Sequence, residues 1–393
     1  MPRLRALLLL LPLTACAVTG PSAPPYVPAA VVAASAWPAA LGDAAHRSPT
    51  AAVGPRTGRV RWQRQLEGAV VPGPVLGVDG SVLAASNGGV LHALDPATGE
   101  DRWTFDGGSS YGSDLSTSPA VLADGTVLWP GPRQRLYALT RDGQLLWELP
   151  LEDFVLSPAV SGNRVYVADM SGTVLALDVG RGGQHREAWR VELGGPTWSS
   201  PAVGPGGRVY TTHDRTVVAL TDLRDRAEVT WRYRTKDLIE VSPAVAPDGT
   251  VVVGTNDDDE IGLHPRGRVR WKVDKRDSSY SSAVVRDGLA YWGDNSGDLV
   301  VADATTGRVV RRVKGTDPSA GRTTGAGIWT APLVDAAGST YFGDSDGRFY
   351  GYDADGRQLF ALDWGGIVAS YPALTADGTL LAGSSRGVLY ALR

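Results

Sequence analysis

Residues 157–178 read SPAVSGNRVYVADMSGTVLALD. Three short apolar runs, "SPAV", "RVYVAD" and "TVLALD", are separated by Gly-Asn and by a Gly-containing polar turn. Gly and Asn tolerate the positive φ that tight hairpins require. A fourth run, "REAWRVEL" at 186–193, completes the unit. Near-copies fill the chain, and helical periodicity is absent. Aligned on the fourth run, one slot holds Trp62, Trp103, Trp147, Trp189, Trp231, Trp271, Arg311 and Phe360, at intervals of 40–49 residues. Four strand signals in a period near the low forties describe one blade of a β-propeller.

The blade number follows from the two ends of the repeat array. First, second and third strands occur together eight times, the last set being "SYPAL", "TLLAGS" and "VLYALR", ending at Arg393. No fourth strand follows it. At residues 58–66, "GRVRWQRQL" is a fourth strand that no such set precedes. Pairing the two closes the ring and removes the unpaired edges of an open array. The expected fold is therefore all-β: an eight-bladed propeller of four-stranded antiparallel blades over 58–393, closed by an N-terminal strand. The repeated tryptophans are expected to dock each blade on its neighbour, each burying roughly 150–250 Å². Arg311 breaks the series, and its blade is expected to pack most loosely.

With 43% hydrophobic and 20% charged residues, the chain has material for a large core. A net charge of −4, with basic residues dispersed, gives no sign of a polyanion groove, so nucleic acid is not an expected partner. The single cysteine, Cys16, ends "MPRLRALLLLLPLTAC". Two arginines followed by a short apolar run read as a secretory signal at 1–16. Its Leu-Thr-Ala-Cys end resembles the bacterial lipobox. That resemblance implies cleavage before Cys16 and acylation of its thiol, palmitate being among the acyl groups. Residues 17–36, rich in Pro and Ala, read as a tether.

The unit "SPAV…DGTVxVGS…GxLxALDxxTGxxxW" resembles the pyrroloquinoline-quinone-type (PQQ-like) propeller repeat over about 58–393. "WPAALGDAAHRSPTAAVG" at 37–54 is similar to the clasp that precedes such propellers, giving a clasp segment at 37–57. The length, lipobox and blade count also resemble the BamB family of envelope lipoproteins. This likeness implies a non-enzymatic scaffold, lipid-anchored to a bacterial membrane, that binds other envelope proteins, such as those of a membrane assembly complex. The membrane is the periplasmic face of an outer membrane, or the outer face of the cytoplasmic membrane where there is no outer one.

Binding residues are sought on one face. In an up-and-down blade the fourth-to-first and second-to-third connections share a side of the disc. Both long loops, 105–119 and 314–332, lie on that side, and insertions gathered on one face mark a binding face. Three residues before the inner-strand proline is a lip position, held by Val71, Ser116, Val155, Trp198, Glu240, Tyr280, Trp329 and Ala369. Trp198, Glu240, Tyr280 and Trp329 are the candidate ligand or partner contacts. Aromatic faces with one carboxylate suit a peptide or a planar ligand. The alternative function is accordingly a small-ligand or polysaccharide sensor.

Catalytic chemistry has little support. "GSSYG" at 108–112 matches a nucleophile elbow but lies in a propeller loop without the strand-turn-helix that motif needs. The histidines His46, His92, His185, His213 and His264 show no metal-ligand spacing, and His46 is assigned to the clasp. The acidic tips "NDDDE" (256–260), "GDNSGD" (293–298) and "GDSDG" (343–347) lack a twelve-residue calcium loop and are expected to be solvated turns. Quinoprotein dehydrogenases resemble one another in a vicinal cysteine pair, a bound Ca²⁺ and a longer chain, whereas here the single cysteine, Cys16, lies outside the propeller and no clear calcium site is read. No cofactor and no metal are expected, and a PQQ-dependent oxidoreductase ranks last.

Overall fold

A computed structural model describes residues 37–108, 117–257, 259–275, 280–314 and 327–393. Segments 1–16 and 17–36, Cys16, Ser116 and most of "GSSYG" lie outside the described residues. Those described form eight four-stranded antiparallel sheets. Blades 1 to 7 span 75–106, 120–150, 159–192, 202–234, 244–274, 284–314 and 333–363. Blade 8 takes three strands from 373–392 and its fourth, Val60–Gln65, from the other end of the ring. Gln63 pairs with Tyr390 and Gln65 with Val388, and the Arg393 amide donates to the Arg59 carbonyl at 2.8 Å. The eight-bladed propeller read from the sequence is the fold.

The core lies between blades, where facing sheets interdigitate. Opposite each large fourth-strand side chain the third strand carries a small residue: Ala93 faces Trp103, Ala138 Trp147 and Ala176 Trp189. Likewise Ala219 faces Trp231, Gly262 Trp271, Gly351 Phe360 and Ala391 Trp62. The register shifts beside each pair, a bulge that re-aims the side chain. Each indole then reaches the following blade. Its N–H donates to Pro96 O from Trp62 (2.9 Å), Arg141 O from Trp103 (2.8 Å), Pro265 O from Trp231 (2.9 Å) and Ala304 O from Trp271 (3.0 Å). Trp147 donates to Gly183 O, and Trp189 to the Asp222 carboxylate.

The two departures from tryptophan have physical reasons. Phe360 faces blade 8, whose third and fourth strands come from opposite ends of the ring, so no turn offers it a carbonyl. A ring without an N–H fits there. In blade 6 the small residue is replaced by Val301, which faces Arg311. A branched side chain takes the indole's seat, and the Arg311 guanidinium makes the equivalent bond to Ala354 O. Replacing Trp271 by phenylalanine is expected to keep the packing but lose the bond to Ala304, costing about 1 kcal/mol in urea unfolding. An unchanged midpoint would show that the bond adds nothing.

The "SP" of the repeat stitches the inner ring. The Ser118 amide donates to Ser157 Oγ (2.8 Å), Ser200 N to Ser242 Oγ and Ser242 N to Ser282 Oγ (both 3.0 Å). Each serine hydroxyl thus satisfies a buried amide of the preceding blade.

Residues 37–52 lie against the innermost strands, which would otherwise present unpaired edges to the channel. Carbonyls of Trp37, Pro38, Ala44, Ala45, His46 and Ala52 accept from Leu76, Val121, Val203, Val245, Val285 and Ala336. These amides belong to blades 1, 2, 4, 5, 6 and 7, on the side of the first-to-second turns. Ala40 and Leu41 pack with Val284, Ala331 and Tyr371. That mouth of the ring is therefore closed.

Candidate functional site

The opposite face, with the fourth-to-first connections, is built by mutual clamping. The connection into blade 5 donates from Ile239 N to Asp214 O of blade 4 and accepts at Leu238 O from Asn256 N of blade 5, both at 3.0 Å. The connection into blade 7 does the same through Ile328 N to Asp294 O and Ser345 N to Gly327 O. The connection into blade 8 uses Val368 N to Asp344 O and Ser385 N to Ile367 O. Ile239, Ile328 and Val368 are completely buried by this arrangement. The residue after each, namely Glu240, Trp329 or Ala369, is pushed outward and half-buried, which is the lip position.

The candidate contacts are only partly brought together. Tyr280 is 45% exposed, and its ring meets Trp329 edge to face, centroids 5.6 Å apart at 75°. The Trp329 indole N–H donates to Asn295 Oδ1 at 3.1 Å. Glu240 Oε2 accepts from Asn256 Nδ2 at 2.7 Å. Trp198 is half-buried and, among the described residues, shares no ring contact with the other two. Val155 is buried beneath a bridge to Asp169 and does not project. Asn256 and Asn295, which orient the lip, were legible only as turn residues. The centre beneath carries half-buried Tyr371, whose desolvation raises its pKa.

The acidic tips correct an expectation. Asp294, Asp344 and Glu260 are wholly buried and Asp298 nearly so, rather than solvated. Two of them organise their own turns. Asp294 Oδ1 accepts from Ser296 Oγ (2.7 Å) and Asp298 N (2.8 Å). Asp344 accepts from Arg348 N (2.8 Å) and from Tyr350 OH (2.9 Å). Burial raises the pKa of both Asp294 and Asp344 despite these bonds. Asp258 lies outside the described residues.

The histidines are scattered through the structure. His46 is buried with Nδ1 2.7 Å from Pro243 O, and burial lowers its pKa. Burial, helped by Arg232 and Arg234, lowers that of His213. His185 stacks on Trp147 at 4.0 Å. His92, unassigned from sequence, is buried between Asp101 and Glu67, each 2.8 Å away. Among the described residues, no group of three or more His, Cys, Asp or Glu is placed to hold a metal ion.

Residues 46–114, 89–185 and 182–393 match the family described as outer membrane protein assembly factor BamB. The chain is similar to the serine/threonine-protein kinase AfsK of Streptomyces griseus, 35% identical over 193 residues, covering 45% of this chain and 23% of the kinase. It is 28% identical over 180 residues to the outer membrane protein assembly factor BamB of Yersinia pestis, covering 42% of this chain and 44% of that one. The matched parts are less than half the length of either relative. The crystal structure of BamB from Moraxella catarrhalis shares the fold, with a TM-score of 0.64 at 18% identity over 85% of this chain and 97% of that one. On the family match, which runs from residue 46 to residue 393, the chain belongs to the BamB-type PQQ-like propeller family.

Proposed function

We propose that the protein is a lipid-anchored, non-enzymatic scaffold of the bacterial envelope, held by acylated Cys16 and offering its lip face to a segment of another envelope protein. The observation that carries this is the asymmetry of the ring. One mouth is closed by residues 37–52, while the other bears the lip residues Trp198, Glu240, Tyr280 and Trp329. The name of its relatives, outer membrane protein assembly factor, supports a partner within a membrane assembly complex. The membrane is the outer one, at its periplasmic face, or the outer face of the cytoplasmic membrane where it stands alone.

A photo-crosslinking residue placed at Ala369, beside the lip, tests the scaffold in cells. Capture of one stoichiometric envelope protein is expected. Trp198→Ala with Trp329→Ala is expected to reduce that capture about tenfold or more, since buried aromatics dominate interface energies. Undiminished capture would remove the lip as the binding surface. Palmitate labelling that persists after Cys16→Ala would remove the anchor.

A second reading, a small-ligand or polysaccharide sensor, draws on the Tyr280–Trp329 pair, whose edge-to-face rings offer a stacking surface. Quenching of tryptophan fluorescence by oligosaccharides, lost in Trp329→Ala, would favour it. Dye-linked alcohol oxidation upon adding PQQ and Ca²⁺ would instead make the protein an enzyme.

A further inference from the structure

One charged side chain sits where the repeat places apolar ones. Glu260 lies on the third strand of blade 5, Asp259–Leu263, in the slot that blades 1, 2 and 6 fill with Leu91, Leu136 and Leu299. It is wholly buried, and neither carboxylate oxygen has a hydrogen-bond partner among the described residues. Lys275, just past the fourth strand of the same blade, is wholly buried too, and its Nζ donates to Thr255 O at 2.8 Å. The two charges flank one point. A Cβ on Gly254 would stand 2.9 Å from Glu260 Oε2 and 3.2 Å from Lys275 Nζ, with Val241 Cγ2 closing the third side at 3.5 Å.

Thr255 opens the turn that sets the lip of blade 5. The next residue, Asn256, donates its amide to Leu238 O at 3.0 Å and its Nδ2 to Glu240 Oε2 at 2.7 Å. The bond from Lys275 thus holds the turn, and the turn holds the lip carboxylate. Neighbouring charges are engaged elsewhere. Asp259 pairs with Lys272 at 2.8 Å, and Asp257 accepts from Thr255 Oγ1. Across the seam, Asp294 and Asp298 of blade 6 share one turn. Arg312 stands 3.8 Å from Asp294 Oδ2 and donates to Asp274 O at 2.8 Å. Burial pushes the Glu260 carboxyl up to about 7, and the opposing charge is that of Lys275.

We propose that Glu260 and Lys275 form a proton-operated switch beneath the lip of blade 5. While the carboxyl is protonated, Lys275 stays on Thr255 O and Asn256 keeps Glu240 in place. Above neutral pH the proton passes to solvent. A buried carboxylate with no donor is strongly disfavoured in a low dielectric. The Lys275 ammonium, at the same point, swings to it, and Thr255 O loses that donor. The turn then loosens, and Glu240 is released from Asn256. Binding at the lip thereby becomes dependent on pH, a consequence that rests on the scaffold reading above.

Hydrogen exchange of the purified protein, with no partner present, reads the switch at the Asn256 amide. Wild type and Glu260→Gln are compared at each pH, so the intrinsic exchange rate cancels. At about pH 6 the two should exchange alike. At about pH 8 the wild type should exchange about tenfold faster, the size of one lost hydrogen bond from a charged donor. Lys275→Met, which lacks the bond to Thr255 O at every pH, should exchange fast at both. Equal rates for wild type and Glu260→Gln at both pH values would overturn the proposal, as would slow exchange in Lys275→Met. The same acceleration in the matching turns at 86–89 and 169–172 would overturn it too, since it reports a general loss of stability. Partner capture at the lip is measured separately, so the switch and the scaffold fail independently.

Discussion

Valine at position 343 is expected to lower stability by more than about 3 kcal/mol. Gly343 ends the second strand of blade 7, directly beneath the connection into blade 8. A Cβ there would stand 2.3 Å from Val368 Cγ1, 2.5 Å from its Cβ and 2.7 Å from its carbonyl oxygen. The connection has no room to withdraw, because Val368 N is bonded to Asp344 O and Ile367 O accepts from Ser385 N. Gly293 under Ile328 and Gly383 under Val70 repeat the arrangement, with approaches of 2.3 and 2.4 Å. The glycine that ends the second strand is thus a seat for the aliphatic residue that sets the lip. Urea unfolding of Gly343→Val measures the cost. Gly180→Ala is the control, since its nearest neighbours lie at 3.7 Å and its φ is −87°. A loss below about 1 kcal/mol for Gly343→Val would show that the connection yields and that the clamp is soft.

The blade count and the ring closure were legible because each rests on a local pattern repeated eight times. A large fourth-strand side chain, tryptophan in six blades of eight, and a Gly-containing turn each state their position in the period. The path of residues 37–52 was not legible. That segment repeats nothing, and its bonds go to six blades scattered along the chain, so only the closed ring brings its partners to one place. The lip was half legible. Counting back from the proline located Glu240 and Trp329, but whether two lip residues touch depends on the rise of each connection, which the spacing does not encode. Hence Tyr280 and Trp329 meet while Trp198 stays separate. The acidic tips misled for a simple reason. A carboxylate beside a turn reads as solvated, whereas here the clamped connections roof the turns, and Asp294 and Asp344 bond turn amides in their shade.

Glu260→Gln is expected to stabilise the protein above neutral pH and to change little in mild acid. Glu260 occupies the third-strand slot that other blades fill with Leu91, Leu136, Val174, Val217, Leu299, Phe349 and Leu389, each two residues before the position facing the fourth-strand side chain. It is wholly buried, and neither carboxylate oxygen has a hydrogen-bond partner among the described residues. Desolvation raises its pKa from 4.5 to about 7, the charge of Lys275 opposing that rise. The folded protein therefore holds a proton between pH 4.5 and about 7 that the unfolded chain releases. The stability this affinity contributes is complete below 4.5 and lost as pH rises through 7. Across that span the loss is about 3 kcal/mol. Buried His46 and half-buried His213, both with lowered pKa, act with the opposite sign, gaining stability as pH rises toward 6.5, so the wild-type profile alone mixes the two. Subtracting the wild-type curve from that of the Gln variant isolates Glu260. The difference should be near zero at pH 4.5 and grow to about 3 kcal/mol past neutrality. Glu260→Leu, which restores the side chain typical of the slot, should give a difference that grows the same way. Parallel curves would mean that Glu260 is ionised throughout, its attraction to Lys275 outweighing the cost of burial.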